Sequence, residues 1–167
     1  IHKKSNDIFY EQFRFILPGY NVRPLEMSGA IGLEQLKKLP RLIENRVSNA
    51  KYFCSLFHDH PIFYIQKEIG YSSWFGFSLI IRENKNINRD DLVKYLNINN
   101  IESRPIVTGN FTNNPVIKFY DYQIHEKLEN ADLLDNNGFF VGNHHYSIIN
   151  KIDFLYQTIE NYLKNLN

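Results

Sequence analysis

The chain has 167 residues, and 19 Lys plus Arg against 18 Asp plus Glu leave a net charge of +1 with neutral histidines. This balance gives no strong field that would favour nucleic acid or an anionic membrane as a partner, and no apolar run is long enough to span a bilayer. The single cysteine, Cys54, excludes a disulfide within the chain and favours the reducing cytoplasm. Because the first residue is Ile1 and not methionine, we expect a piece of a longer protein.

The N-terminal segment is predicted to be an extended arm. Phe13, Phe15 and Leu17 occupy alternate positions, which is typical of a short strand or an extended chain. We assign residues 1–22 to this arm, which would lead back to a preceding domain. Residues 23–167 are long enough to form one small domain with its own core.

A turn and a helix follow the arm. Pro18-Gly19 is typical of a turn, and Pro24 suits the first turn of a helix, where its missing N–H needs no partner. The helix predicted over 24–38 contains Gly29 and Gly32, and each glycine costs about 1 kcal/mol relative to alanine in a helix. We therefore expect another helix or another subunit to pack close to this backbone.

Asn21 stands just before that helix. It has two interpretations from local chemistry. Asn is a favoured helix-capping residue, and a helix N-terminus also attracts anions, phosphate above all. Both interpretations stay open on the residues alone.

Helices and strands then alternate along the chain. Helices are predicted at 41–58, 89–99, 126–137 and 150–166, a helical turn at 116–120, and strands at 62–66, 74–81, 101–105 and 139–141. This order predicts an α+β fold in which helices cover one face of a small, largely antiparallel sheet. Asn88 is the expected N-cap of the 89–99 helix, and Gly138 the expected left-handed residue after the 126–137 helix.

Two helices carry apolar stripes that predict their buried faces. The first stripe includes Cys54, which we interpret as a buried structural thiol because its setting is not evidently electropositive. The stripes are Ile43, Val47, Ala50, Cys54 and Phe57 on the first helix, and Ile152, Leu155, Ile159, Tyr162 and Leu166 on the last. In the helix between them, Leu92, Val93 and Leu96 are predicted to face inward.

Glu102 and Arg104 lie two positions apart on a predicted strand, so their side chains share one face. A guanidinium can bind a diphosphate through two donors, and a carboxylate can accept hydrogen bonds from sugar hydroxyls. The alternative is a solvated ion pair, which is common and weak. Trp74 and Phe75 are interpreted as core residues, with stacking on guanine as the alternative.

The paired histidines do not predict a metal site. His58 and His60 have no third ligand at a recognised spacing. His144 and His145 are adjacent, so on an extended chain they should face opposite ways.

Four segments resemble the DegT–StrS sugar aminotransferases, which are fold type I pyridoxal-phosphate (PLP) enzymes. The segments are Gly19-Tyr-Asn-Val-Arg-Pro-Leu-Glu-Met27 with Ala30-Ile-Gly-Leu-Glu-Gln-Leu36, Ser72-Ser-Trp-Phe-Gly-Phe-Ser78, Ile101-Glu-Ser-Arg-Pro-Ile-Val-Thr-Gly-Asn110 and Phe140-Val-Gly-Asn-His144. The resemblance runs through nearly the whole chain and covers the C-terminal part of such an enzyme. It is strongest to members that remove the C3 hydroxyl of the sugar.

The resemblance implies a homodimeric enzyme that uses PLP and pyridoxamine 5′-phosphate, with glutamate as amino donor and a nucleotide-linked 4-keto-6-deoxy sugar as substrate. The product would be a 3-deoxy sugar for surface polysaccharide such as O-antigen. A sugar 4-aminotransferase of the perosamine synthase type is one alternative, and a dimerisation module without activity is another. The resemblance implies no metal, and it locates the catalytic lysine or histidine upstream of Ile1, so no catalytic residue is expected here.

Supporting residues are what the resemblance leaves in this chain. It implies that Asn21 reaches the PLP phosphate of the partner subunit and that Phe13 lies at an aromatic position near the neighbouring active site. It implies that Glu102 and Arg104 stand at the mouth of the site and contact the substrate. Asn110, in the loop after them, is a further candidate for substrate contact.

Overall fold

An antiparallel sheet of four strands lies at the centre of the fold, in the order β1-β2-β4-β3. The computed structural model of the protein describes residues 5–20, 25–83 and 87–166. The strands are β1 (Phe63–Ile65), β2 (Gly76–Ile81), β3 (Ser103–Arg104) and β4 (Gly138–Gly142), and the helices α1 (Ile8–Glu11), α2 (Glu26–Leu36), α3 (Leu39–Phe57), α4 (Arg89–Ile98), α5 (Glu129–Asn137) and α6 (Ile149–Lys164). Two short 3-10 turns occupy Phe111–Asn113 and Pro115–Phe119.

One face of the sheet forms the hydrophobic core. Phe77 pairs with Val141 and Leu79 with Phe139 across β2 and β4, and directly opposite residues point to the same side. All of these side chains are buried in one cluster with residues from α3, α4 and α6. Helices and a small antiparallel sheet in this arrangement confirm the predicted α+β fold.

The other face of the sheet carries polar and small residues near one end. Ser78 and Arg104 both lie opposite Phe140, on the face away from the core. Gly76 and Gly142 pair with each other at the same end. Since this face carries a guanidinium above glycines, it leaves room for a ligand near the end of β4.

The N-terminal arm differs from the prediction. It begins with the short helix α1, in which Asp7 accepts a hydrogen bond from the Tyr10 backbone N–H at 3.1 Å. Phe15 then binds the 114–116 loop, since its N–H donates to the Asn114 side chain at 3.1 Å and its carbonyl accepts from the Val116 N–H at 3.0 Å. Of the two forms predicted for Phe13 to Leu17, a short strand or an extended chain, the strand does not form, because this stretch hydrogen-bonds to a loop and not to a sheet edge.

Gly138 was expected to close α5 in the left-handed region, and that expectation was wrong. Its φ is −96° and its ψ 145°, so it is the first residue of β4. A Cβ there would overlap the Leu134 carbonyl oxygen and would lie 2.6 Å from Cδ1 of Ile106. Close packing, and not a positive φ, explains the glycine.

The helix faces are confirmed in part. On α4, Asn88 caps the helix, and the three residues predicted to face inward are buried. On α3 the buried side chains are Asn49, Ala50, Phe53 and Phe57, so the true stripe is rotated from the predicted one. On α6, Leu166 is 52% exposed, because it lies beyond the last helical residue.

Helix α2 has no buried residue. A Cβ at Gly29 or at Gly32 would meet no atom within 4 Å, so nothing in the described ranges packs against the helix at these two glycines. Its large apolar side chains, such as Met27 and Leu33, are 75% and 66% exposed. No helix in the same ranges is both long and apolar enough to cross a bilayer.

Candidate functional site

Glu102 and Arg104 line a cavity of about 300 Å³ on the open face of the sheet. Nε and Nη2 of Arg104 donate to the same carboxylate oxygen, Oε1 of Glu102, at 3.0 and 2.7 Å. The side chain of Arg104 is 50% exposed and that of Glu102 is 70% exposed. The pair is therefore solvated, as the sequence allowed, yet it offers a guanidinium and a carboxylate together at the edge of a cavity.

The cavity has an aromatic side formed by Phe75 and Phe140. Their ring centroids are 5.9 Å apart, at an interplanar angle of 51°. Phe140 is buried, whereas Phe75 is 79% exposed. Trp74 is a core residue with 4% exposure, as predicted. The prediction that Phe75 is also a core residue was wrong, because the turn at Trp74 directs the next side chain out of the core.

Arg46 fixes the backbone that carries Phe75. Its Nε donates to the Ser73 carbonyl at 3.1 Å, and its Nη2 donates to the carbonyls of Trp74 and Phe75 at 2.7 and 2.9 Å. Trp74 has a φ of +49°, a strained value for a residue with a large side chain. The hydrogen bonds hold this conformation, and strain of this kind is frequent at binding sites.

Buried amides support the cavity from below. Asn143 lines it and donates to the backbone carbonyls of Arg46 and Trp74, each at 3.0 Å. Asn49 on α3 donates to the side-chain oxygen of Asn143 at 3.1 Å and accepts from the Ile148 N–H at 3.1 Å. The end of β4 and the approach to β2 are thus tied to one helix.

Phe13 lies half-buried against the loop that follows Arg104. It lines a second cavity of about 250 Å³ together with Pro105, Val107 and Asn114. Val107 has a φ of +43°, which is strained for a β-branched residue. The arm and the element carrying Arg104 are therefore brought close together, although Phe13 does not line the Glu102–Arg104 cavity.

Asn110 is committed to its own loop. Its Nδ2 donates to Asp132 at 2.7 Å, and its Oδ1 accepts from the Thr112 N–H and hydroxyl at 3.0 and 2.7 Å. The side chain is buried, with 4% exposure for the residue. Both ends of the amide are used, so Asn110 braces the loop. Asn21, the predicted phosphate ligand, lies outside the described residues.

The histidines have partners other than metals. Nε2 of buried His60 lies 3.0 Å from Glu160, and its Nδ1 accepts the Ile62 N–H at 3.2 Å. The ring centroids of His144 and His145 are 4.4 Å apart, so the prediction that they face opposite ways was wrong, because the chain turns after β4. Burial, and then the charge of His145, lowers the pKa of His144. Within the described ranges, no three His, Cys, Asp or Glu side chains form a metal-binding group.

The sequence analysis missed Arg46, Phe140, Gly142 and Asn143 as cavity residues. Three of them lie in the segment Phe140-Val-Gly-Asn-His144, which carried part of the family resemblance but received no role. Arg46 had no signal, since nothing in the sequence shows that one helical arginine meets three carbonyls of a distant turn.

The DegT/DnrJ/EryC1/StrS aminotransferase family matches residues 2–146. GDP-4-keto-6-deoxy-D-mannose 3-dehydratase of Escherichia coli O55:H7 is 56% identical over 158 residues, which are 94% of this chain and 41% of the relative. A solved structure of GDP-4-keto-6-deoxymannose-3-dehydratase, a histidine-to-asparagine mutant with bound GDP-perosamine, matches with a TM-score of 0.79 and 56% identity over 93% of this chain and 40% of the other. Another structure of that enzyme, with a trapped PLP-glutamate geminal diamine, matches with a TM-score of 0.78, the same identity and the same coverage. The chain thus spans about two fifths of the length of these relatives.

Proposed function

This chain is a member of the DegT/DnrJ/EryC1/StrS aminotransferase family, and we propose that it is the C-terminal part of a GDP-4-keto-6-deoxy-D-mannose 3-dehydratase. The reaction removes the C3 hydroxyl of the sugar, and the product serves surface polysaccharide such as O-antigen. The similarity that supports this runs along 94% of the chain at 56% identity. The same proposal divides the chain into an arm, residues 1–22, and a small domain, residues 23–167.

The Glu102–Arg104 pair is the observation that supports a nucleotide-sugar site in this chain. Both side chains reach solvent at the edge of a cavity, and Arg104 uses only one oxygen of Glu102. The guanidinium then contacts the diphosphate of the nucleotide sugar, because its planar donors match phosphate oxygens. The free carboxylate oxygen accepts a hydrogen bond from a sugar hydroxyl.

PLP or pyridoxamine 5′-phosphate supplies the electron sink for the chemistry, with glutamate as amino donor. The proposal assigns the residues of this chain to an edge of the PLP site and assigns the catalytic base to the part of the enzyme outside this chain. Every described lysine is exposed, and the buried histidine, His60, is bound to Glu160. In the proposed enzyme Asn21 donates its amide N–H to the cofactor phosphate of the partner subunit, a charge-assisted bond. Phe13 packs beside that neighbouring site.

The alternative is a sugar 4-aminotransferase of the perosamine synthase type. The same wall of Glu102 and Arg104 would serve either enzyme, because both bind a nucleotide-linked keto sugar. The two differ in the residue that handles protons at the cofactor, a lysine in aminotransferases and a histidine in the proposed dehydratase. That residue lies outside this chain in the proposed arrangement.

We propose a homodimer in the cytoplasm for the intact enzyme. The exposed apolar side chains of α2, which include Met27 and Leu33, support a covered position for this helix in a larger assembly, since contiguous exposed apolar patches usually mark interfaces. A chain with one half-buried cysteine suits a reducing compartment.

One comparison tests the proposal. We expect the 167-residue chain alone to retain no PLP in equilibrium dialysis and to show no turnover. The longer gene product should retain PLP and turn over the substrate. The upstream sequence of the longer product should carry histidine at the cofactor position. PLP binding by the short chain would contradict the proposed location of the cofactor site outside this chain, and lysine at that position would contradict the dehydratase assignment.

A further inference from the structure

Phe75 is an exposed aromatic residue at the rim of the cavity that holds Glu102 and Arg104. Its ring meets Phe140 at a centroid distance of 5.9 Å, and 79% of the residue is open. Phe140 is 8% exposed, so it supports Phe75 from the protein side. An aromatic ring with one supported edge and an open face has the form of a stacking surface.

The backbone under Phe75 is held rigidly. Arg46 donates to the carbonyls of Ser73, Trp74 and Phe75 within 3.1 Å, and Asn143 donates to the Trp74 carbonyl at 3.0 Å. These bonds maintain the positive φ of Trp74, which turns the chain so that Trp74 enters the core and Phe75 does not. The backbone position from which the Phe75 ring projects is therefore set before any ligand arrives.

Two glycines keep the floor of the cavity low. A Cβ at Gly76 would lie 2.8 Å from Cδ2 of Phe140 and 2.7 Å from the Val141 carbonyl oxygen, so Gly76 makes room for the Phe140 ring. Its partner across the strands, Gly142, has open space where a Cβ would point. A flat ligand can therefore approach beside Phe75.

The charges of the cavity select the ligand class. Arg104 and Glu102 line the same cavity as the Phe75 ring. Its volume, about 300 Å³, is at the lower end of the range for small-molecule sites. An aromatic face beside a guanidinium suits a planar base joined to a diphosphate, because stacking on an aromatic side chain uses the π-face that every base presents.

We propose that Phe75 is the surface on which the nucleobase of the nucleotide sugar stacks. The inference rests on the proposed function, which supplies a nucleotide-linked substrate. Arg104 holds the diphosphate, and the base lies against Phe75 with its other face toward solvent or a neighbouring subunit. Trp74 takes no part, because it is a core residue.

Calorimetry on the intact holoenzyme tests this with two probes, GDP and inorganic pyrophosphate. Phe75→Ala should weaken GDP binding about tenfold, equivalent to about 1.4 kcal/mol, and leave pyrophosphate binding unchanged. Phe75→Trp should preserve GDP binding, since it restores a stacking face. Tyr71→Ala is the matched control, because Tyr71 is 76% exposed, belongs to the same segment and does not line the cavity.

The outcomes separate the inference from the proposed function. If wild-type enzyme binds GDP and Phe75→Ala binds it equally well, the stacking role is wrong. An equal loss for GDP and pyrophosphate also overturns it, because the change would then act on the whole site and not on the base. A wild-type enzyme that binds neither probe would overturn the proposed function, and the stacking role with it.

Discussion

Asn49 donates its side-chain amide to the side-chain oxygen of Asn143 at 3.1 Å, inside the protein. Asn49 is 1% exposed and Asn143 9%. Asn49 also donates to the carbonyls of His144 and Tyr146, at 3.1 and 2.8 Å. The pair therefore connects α3 to the segment after β4, and through Asn143 to the turn that presents Phe75.

Replacement of Asn49 by leucine should destabilise the protein strongly. The change leaves the Ile148 N–H and the Tyr146 carbonyl without this partner, and one buried unsatisfied group costs about 1–3 kcal/mol. We expect the free energy of unfolding in urea to fall by about 3 kcal/mol. Asn45→Ala is the control, because Asn45 makes one amide bond to the His145 carbonyl near the surface, and its loss should cost less than about 1 kcal/mol. Equal effects of the two changes would contradict the role of the buried amides.

The two paired glycines of the sheet should respond differently to alanine. At Gly76 the new Cβ would meet a backbone oxygen at 2.7 Å and the Phe140 ring at 2.8 Å, so Gly76→Ala should lower the free energy of unfolding by about 1–3 kcal/mol. At Gly142 the Cβ would meet nothing within 4 Å. Gly142→Ala should therefore be neutral or slightly stabilising, and thermal unfolding of both variants measures the difference. A larger loss at Gly142 would show that the pairing of β2 and β4 is wrong.

Cys54 should react slowly with alkylating agents. Burial, and then the Glu68 carboxylate, raises the pKa of the thiol. A raised pKa means less thiolate at neutral pH, and the thiolate is the reactive form. We expect iodoacetamide labelling at pH 7.5, followed by mass spectrometry, to be several-fold slower in the folded protein than in urea. Glu68→Gln should accelerate it modestly, and labelling as fast as in urea would refute the structural role of the thiol.

Asn21→Ala in the intact enzyme should weaken cofactor retention. The proposed hydrogen bond from the amide to the phosphate is charge-assisted, and such bonds contribute about 1.5–3 kcal/mol. The dissociation constant for PLP should therefore rise at least about tenfold. Asn6→Ala, a change in the exposed part of the arm, is the control. PLP affinity equal to that of the wild type would remove the role assigned to Asn21.

Apart from the short helix α1, the periodicity of the sequence predicted the order of helices and strands, because an amphipathic stripe needs only local residues. Asn88 capped its helix as expected, since a cap is also local. Gly138 was misread because a glycine after a helix has two explanations, a left-handed turn and a close contact. Only the position of Ile106 in three dimensions decides between them.

The sequence predicted the charged pair of the candidate site but not the residues that support it. Glu102 and Arg104 share a face because they are two positions apart in an extended segment, and this spacing can be read directly from the sequence. Arg46 reaches the turn at Trp74 from a helix 28 positions earlier, and no local pattern encodes that contact. The exposure of Phe75 beside a buried Trp74 likewise depends on the backbone that Arg46 holds.

The product formed by the intact enzyme tests the central proposal most directly. The enzyme with PLP and glutamate is supplied with GDP-4-keto-6-deoxy-D-mannose, and the sugar product is identified by mass spectrometry and NMR. We expect a keto sugar that lacks the C3 oxygen, with consumption of glutamate. A product that retains the C3 hydroxyl and carries an amino group at C4 would contradict the account.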